Sequence, residues 1–462
     1  MHCTCACARK LRSRGSRVRN SLFGDGIRYR MQPRACVLFV TVAVAVMLRL
    51  PSIAAAQEVS AGSTVDQASS GVEILRRAAT GGLGGPQSVG PQLQEDAAAR
   101  KTVSRRPGVD AIFQPFETRL ERLRQISGLQ IGVDYQALYQ GSTETLSGDG
   151  QGSSGNARAF GKWQLLGRDT QNPGSLVFLV EQRHELWTEL APAQLGSEIG
   201  YLGITGTTFS DSGASLTTLY WEQALAQGRS GFVAGRIDPT DYVDVLGYAN
   251  QRTTFLNLST LVDPSIALPD QGFGFAAGTM LTDQFFAKGV ISDANGSLTE
   301  IEFFPGGSEF FSYGEVGWTP SREDRFLTNV HVGAWHVDER MDVGVPESHG
   351  VVVSANVTIN DVFMPFVRAG WSYGEAPFYS KAISGGFLYY FPQYRDLVGF
   401  AAAWSEPAVA GLSEQTTLEA FYRYQFSSNI AITADAQFLL NPSLNPSEDQ
   451  IAVFGLRARV DM

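Results

Sequence analysis

From Gly128 to its end, the chain alternates apolar with polar or small residues at a period of two. The last such segment shows the pattern clearly. Its apolar positions are Ala452, Phe454, Leu456, Ala458, Val460 and Met462, and the positions between them include Arg457, Arg459 and Asp461. Successive side chains of a β-strand point to opposite faces, so this pattern predicts strands with one apolar and one charged face.

About sixteen segments of this kind follow one another between residues 128 and 462, many of them about 9 to 12 residues long. Clear examples are residues 176–181, 351–359, 418–426 and 430–440. Strands of soluble proteins usually have about 5 to 6 residues, whereas a tilted strand that crosses a membrane needs about 9 to 11. The length of the strands therefore favours a membrane barrel.

Aromatic residues near the predicted strand ends support the same interpretation. They include Trp371, Tyr373, Tyr389, Tyr390, Phe391, Trp404, Tyr422, Tyr424 and Phe426. Membrane barrels carry such residues as girdles at both interfaces, with apolar side chains facing lipid and polar ones facing the lumen. We predict an all-β protein, a transmembrane antiparallel β-barrel of about 16 strands over residues 128–462. The alternative, a secreted β-sandwich that binds glycans, fits the strand lengths less well.

The amino-terminal region predicts export. Arg34 is followed by an apolar run, Ala35–Leu48, and then by small residues that end at Ala56. This order is typical of a secretory signal peptide, and the run is shorter than the roughly 20 residues of a spanning helix. We assign residues 31–56 to a signal peptide that starts at Met31, and residues 1–30 to a leader without a structural role.

Removal of residues 1–56 changes the composition of the chain. This segment holds ten of the 36 basic residues, one of the 46 acidic residues and all four cysteines. The remaining chain is strongly acidic and has no cysteine, which excludes a disulfide scaffold and argues against nucleic acid as a partner. Together with the long amphipathic strands, these features predict the outer membrane of a Gram-negative cell.

Two segments precede the predicted barrel. Residues 57–108 are rich in Gly, Ser, Ala, Gln and Pro, and we predict a flexible linker there. Residues 109–127 place Ile112, Phe116, Leu120 and Leu123 on one face of a helix. This spacing predicts a short amphipathic helix that packs on the barrel.

A long polar insert interrupts the strand pattern at residues 236–271. It contains GRIDPTDYVDVLGYANQRTTFLN, which spans Gly235–Asn257, and it separates a strand that ends near Ile237 from one that starts near Gly272. Connections longer than about 15 residues are uncommon in compact domains unless they have a function. We therefore expect a functional loop.

The chain resembles the carbohydrate-selective porins of the OprB type. The resemblance is carried by LTTLYWEQ (Leu216–Gln223), by the insert, and by PSIALPDQGFGFAAGTMLTDQFFAKGVISDANG (Pro264–Gly296). The entry GLQIGVDYQALYQG and the closing VFGLRARVDM extend it over the whole predicted barrel. The resemblance implies a 16-stranded barrel that admits sugars by passive diffusion, with the insert folded into the lumen to narrow it. It leaves open whether the barrel is a monomer or a homotrimer.

A channel for sugars needs hydrogen-bonding side chains and aromatic platforms, and its binding must stay weak so that the solute can leave. In and near the insert we predict such contacts from Arg236, Asp238, Asp241, Tyr242, Asp244 and Arg252. On neighbouring strands we add Glu181, Arg183 and Glu222. The expected partners are small neutral solutes and outer-membrane lipid.

Other chemistry has weak support in the sequence. The three aspartates Asp238, Asp241 and Asp244 lack the spacing of a known calcium loop, and His331 and His336 would project to opposite faces of one strand. Nucleophile and phosphate-binding motifs are missing, so we predict no enzyme, no cofactor and no metal site. A barrel enzyme of the lipase or protease type and a non-selective porin remain as alternatives.

Overall fold

A computed structural model describes residues 71–100, 104–146, 148–305, 307–341 and 343–462. The predicted leader and signal peptide, residues 1–30 and 31–56, lie outside these residues, as does the first part of the predicted linker.

Sixteen antiparallel strands form a closed barrel in which every strand pairs with its sequence neighbours and β1 pairs with β16. In chain order, β1 to β16 are Leu129–Ser142, Gln151–Leu166, Gly174–Glu185, Gly213–Leu225, Ser230–Ile237, Gly272–Met280, Phe285–Asp293, Phe310–Trp318, Thr328–Val337, Ser348–Val357, Phe363–Tyr373, Tyr379–Tyr390, Leu397–Pro407, Gln415–Gln425, Ile430–Leu440 and Gln450–Asp461. The predicted fold class and strand number are confirmed.

The alternation seen in the sequence sets the two faces of this sheet. In β14, Glu419, Phe421 and Arg423 point inward and are buried, while Leu418 and Ala420 point outward. Outward side chains remain accessible where lipid would cover them, as Val316 does on β8 with 60% exposure. A period of two thus gives every strand a lipid face and a lumen face.

Five helices accompany the barrel in the described residues. They are α1 (Gly71–Ala78), α2 (Val89–Ala99), α3 (Pro107–Ser127), α4 (Pro192–Glu198) and α5 (Leu258–Leu261), and single 3-10 turns lie at Ala226–Gly228 and Pro239–Asp241. Within the described part of the chain, no helix is long and apolar enough to cross a membrane.

Helix α3 covers residues 109–127, for which we predict an amphipathic helix, and it begins two residues earlier, with a proline in its first turn. It ends at Gly128, whose positive φ of 74° is the left-handed conformation that glycine adopts most easily at a helix end. Phe116 is half-buried, whereas Ile112 is 74% exposed. The apolar face is therefore only partly covered.

The two ends of the barrel differ in their connections. At the end that holds the start of β1 and the finish of β16, the strands are joined by short turns such as 226–229, 281–284 and 426–429. The opposite end carries the long connections 186–212 and 238–271. Bacterial barrels have short periplasmic turns and longer extracellular loops, so the first end is periplasmic.

Among the described residues, two segments in the lumen bear on the pore. One is the insert, which runs from the end of β5 at Ile237 to the start of β6 at Gly272, as the sequence predicted. The other is residues 71–100, part of the segment expected to be a flexible linker. Here the structure differs, because α1 and α2 are ordered against the inner wall and the insert, with Val72, Leu75 and Leu93 buried. Tertiary contacts, rather than local composition, order this segment.

The orientation of the strands predicts the response to a new charge. Val353 lies outward in the middle of β10, so Val353→Arg would place a guanidinium in the lipid and destabilise the barrel by about 2–4 kcal/mol. Met341→Arg, in an exposed extracellular connection, is the control and should change stability by less than about 0.5 kcal/mol. Reversible unfolding in lipid vesicles measures both, and equal stabilities would contradict the assigned faces.

Candidate pore constriction

Asp238 joins the first and the last residues of the insert. This carboxylate accepts hydrogen bonds from the backbone amide of Thr240 (3.0 Å) and from the side-chain amide of Gln271 (2.6 Å). Thr240 follows β5 and Gln271 precedes β6, so one side chain ties the two ends of the insert together.

Asp244 fixes the insert to the far wall of the lumen. Its Oδ1 lies 2.8 Å from Nε2 of His331 and accepts a hydrogen bond from Ser354 (2.6 Å), while Oδ2 lies 3.1 Å from Nε of Arg368. These partners belong to β9, β10 and β11. Burial alone would raise the pKa of Asp244, but Arg368 and His331 outweigh it and lower that pKa. The carboxylate therefore stays ionised.

A second anchor acts on the later part of the insert. Glu419 of β14 accepts hydrogen bonds from the backbone amides of Leu256 (2.5 Å) and Asn257 (3.2 Å) and from the hydroxyl of Thr260. These amides lie just before and at the start of α5, where a helix has unsatisfied donors. The two anchors hold the insert across the lumen.

A band of paired charges lines the wall at β1 to β3, opposite the Asp244 anchor. Glu181 contacts Arg183 (2.9 Å) and Arg158 (3.3 Å), and Arg158 also contacts Asp134 (3.2 Å). Nη1 of Arg252, on the insert, lies 3.4 Å from Asp134. Burial lowers the pKa of Arg252 to about 10, and repulsion from the neighbouring arginines adds to the effect. We call Asp134, Arg158, Glu181, Arg183 and Arg252 the charged wall.

A cavity of about 410 Å³ opens at the periplasmic end of the lumen. Two ion pairs border it, Lys162 with Glu222 (2.6 Å) and Lys288 with Glu315 (2.9 Å). We call this cavity the periplasmic vestibule. The predicted residue Glu222 borders the vestibule and is not part of the charged wall.

The predicted solute contacts thus separate into different positions. Glu181, Arg183 and Arg252 come together in the charged wall, whereas Asp238 and Asp244 hold the insert in place.

Asp241 and Tyr242 are buried beside these segments. The carbonyl of Asp241 accepts a hydrogen bond from the amide of Gly85 (2.7 Å), and Tyr242 makes an edge contact with Tyr220 at 6.4 Å between ring centroids. Burial, with Asp238 adding to it, raises the pKa of Asp241 well above its usual range.

Arg236 has a different place from the predicted one. It occupies the outward register of β5, opposite Leu219, and donates to the backbone carbonyls of Leu216 (2.7 Å) and Glu300 (3.1 Å) and also to that of Ser297. Its guanidinium holds the extracellular connection 294–309 against the outer face. A change of one residue in strand register moves a side chain to the other face, and the sequence does not show that register.

Sequence reasoning missed several lumen residues. They include Asp134, Arg158, Lys162, Lys288, Glu315, Arg457 and Arg459. All of them are charged residues at the polar positions of alternating strands, which is the signal that could have found them.

A closed barrel with an apolar outer belt, a charged interior and a loop folded into its lumen defines an outer-membrane porin. Residues 344–462 match the family model described as "Carbohydrate-selective porin, OprB family". The predicted resemblance is therefore confirmed over these residues, and the fold is that of a porin barrel, which lets small solutes cross the outer membrane.

The likeness in fold to one solved structure covers most of the chain. The high-pH structure of Pseudomonas putida OprB has a TM-score of 0.58 and 13% identity, with coverage of 75% of this chain and 97% of that one. The low-pH structure of the same protein has a TM-score of 0.46 and 12% identity, covering 75% and 96%. A mutant of Rh. blastica porin has a TM-score of 0.43 and 12% identity, covering 72% and 100%. Among the curated proteins no significant match was found.

The anchor at Asp244 can be tested by Asp244→Ala. The substitution leaves Arg368 and His331 buried without their carboxylate, which should cost about 3–5 kcal/mol and release the insert. Hydrogen exchange of the amides in residues 245–262 should accelerate. Asp211→Ala, at an exposed position of connection 186–212, is the control, and unchanged protection in both variants would refute the anchoring role.

Proposed function

We propose that the protein is a passive, weakly selective channel for carbohydrates and similar small neutral solutes, narrowed by the part of the predicted insert 236–271 that follows β5, residues 238–271. The charged wall is the observation that carries this proposal. Its acids and bases are paired with one another, so they offer both hydrogen-bond donors and acceptors with little net charge. Sugar hydroxyls need both functions, whereas an ion gains little from a balanced wall.

Weak binding follows from the same pairing. Each carboxylate and each guanidinium of the wall already has an ionic partner within the protein, so a solute that binds to one of these groups competes with that partner and gains little net free energy. A solute held in this way leaves readily, which passive transport requires.

Export and assembly complete the proposal. A signal peptide at residues 31–56, cleaved after Ala56, would deliver the chain to the periplasm for insertion into the outer membrane. The lumen, the insert and the wall all come from one chain, so one barrel suffices as the transport unit whether it is a monomer or part of a homotrimer.

Uptake by proteoliposomes tests the solute class. Glucose, a disaccharide, an amino acid and a dicarboxylate are compared, and sugars should enter faster than charged solutes of similar size. Uptake ranked by size alone would instead support a non-selective porin, and a correctly folded barrel without any uptake would favour a barrel enzyme.

Glu181→Gln tests the role of charge balance in the wall. It leaves Arg158 and Arg183 without their shared carboxylate, so the ratio of dicarboxylate to glucose uptake should rise several-fold. Glu185→Gln, at the exposed extracellular end of the same strand, is the matched control and should leave the ratio unchanged. Equal ratios in the two variants would contradict a selective role for the wall.

A further inference from the structure

Residues 71–100 fill the part of the lumen that a solute would cross. Charged-wall residues that line water in an open pore are almost inaccessible here, with Asp134 at 1% and Arg252 at 3% exposure. Helix α2 lies against β1, β2 and β3, where most of the wall lies.

Gln92 contacts the wall as a solute hydroxyl would. Its side-chain nitrogen donates to Asp134 (3.1 Å), and its side-chain oxygen accepts from Arg158 (3.2 Å). A hydroxyl group has the same two functions in one place. The side chain is itself fully buried.

Carboxylates of α2 reach basic and amide groups of the lumen. Asp96 pairs with Arg459 of β16 at 2.8 Å, and Glu95 accepts from the side-chain amide of Asn250 on the insert at 3.3 Å. Among the described residues, Nε and Nη2 of Arg252 have no hydrogen-bond partner. The arginines near α2 thus have unused donors for a polar ligand.

The lumen also carries apolar surfaces that this segment and the insert cover. Val72 and Leu75 of α1 pack in one cluster with Phe366 of β11 and Leu388 of β12. Leu93 of α2 packs in another with Phe160. Inward apolar surface of this kind would face water in an empty pore.

The connection between the two helices closes the route toward the periplasmic vestibule. Lys162 donates to the carbonyl of Gly81 (2.7 Å), Arg325 donates to that of Gly82 (2.5 Å), and Glu222 accepts from the amide of Leu83 (3.1 Å). Gly81 and Gly90 approach so closely that a Cβ on Gly90 would lie 2.3 Å from the carbonyl oxygen of Gly81. This compact hairpin borders the cavity of about 410 Å³.

We propose that residues 71–100 are an intramolecular ligand of the pore, in which Gln92 occupies the solute position on the charged wall, and that transport requires their withdrawal. The segment continues into Arg105, which pairs with Asp396 in a periplasmic turn (2.6 Å), so it leaves toward the periplasm. The assignment of the wall as the solute site rests on the proposed function, whereas the closure of the pore does not.

A reversible disulfide tests the withdrawal. A Cβ at Gly85 would lie 2.4 Å from Cγ1 of Val245 on the anchored insert, so Gly85→Cys with Val245→Cys places two sulfurs within bonding reach. A second lock joins Gly71→Cys to Tyr390→Cys, where the two Cβ atoms would be 3.5 Å apart. The native cysteines Cys3, Cys5, Cys7 and Cys36 are replaced by serine in every variant.

Ion conductance in planar bilayers and glucose uptake by proteoliposomes are measured on the oxidised and the reduced form of each lock. Oxidation should reduce conductance and uptake at least about tenfold, and reduction should restore both, whereas single-cysteine variants should not respond. An oxidised lock that conducts and transports like its reduced form would overturn the proposal. Redox-controlled conductance without glucose uptake would support the closure and refute the carbohydrate function.

Gln92→Ala tests the ligand-like contact without a new covalent bond. The variant loses both hydrogen bonds to the charged wall, so the open fraction of single channels should rise several-fold. The docked segment should also compete less with glucose for the charged wall. Gln114→Ala, on the exposed surface of α3, is the matched control. An open fraction equal to that of the control would show that Gln92 does not hold the pore closed.

Discussion

The arrangement inside this barrel depends on one constraint, which is that charges buried by protein need partners. A barrel of sixteen strands is too wide for its own side chains to fill, and in an open pore water would solvate the inward charges. Here the insert and helices α1 and α2 replace much of that water. An unpaired charge in such surroundings costs several kcal/mol, so the segments that enter the lumen must bring complementary groups.

The anchors of the insert follow from this constraint. Asp244 enters a region that holds Arg368 and His331, and Glu419 of the wall meets the free amides before α5. In each case a carboxylate is matched with donors from an element far away in sequence. Removing one partner would leave the other buried without a hydrogen bond, which costs free energy of folding. The insert is therefore held by a few contacts whose loss is costly rather than by many weak ones.

The alternation of apolar and polar residues along the sequence predicted most of the fold. It indicated the strands and their faces because lipid favours apolar side chains on the outward face of a strand, and this preference repeats along 128–462. The chain segments that fill the lumen were harder to predict. Residues 71–100 look like a linker by composition, although Val72, Leu75 and Ala78 share one face of GVEILRRA, opposite Glu73 and Arg77. Their partners lie hundreds of residues away, and pairings of that kind leave no local pattern.

The position of Arg236 shows the same limit on a smaller scale. Its charge and its place beside the insert suggested the lumen, yet it lies on the outer face and donates to carbonyls of connection 294–309. Gly235 before it has a φ of 140°, a conformation open to glycine, and a Cβ there would lie 2.6 Å from the carbonyl of Leu219. In the register of β5 against β4, Arg236 lies opposite the outward Leu219, and this pairing places its side chain on the outer face. Its role is therefore decided by backbone geometry, which residue type alone does not reveal.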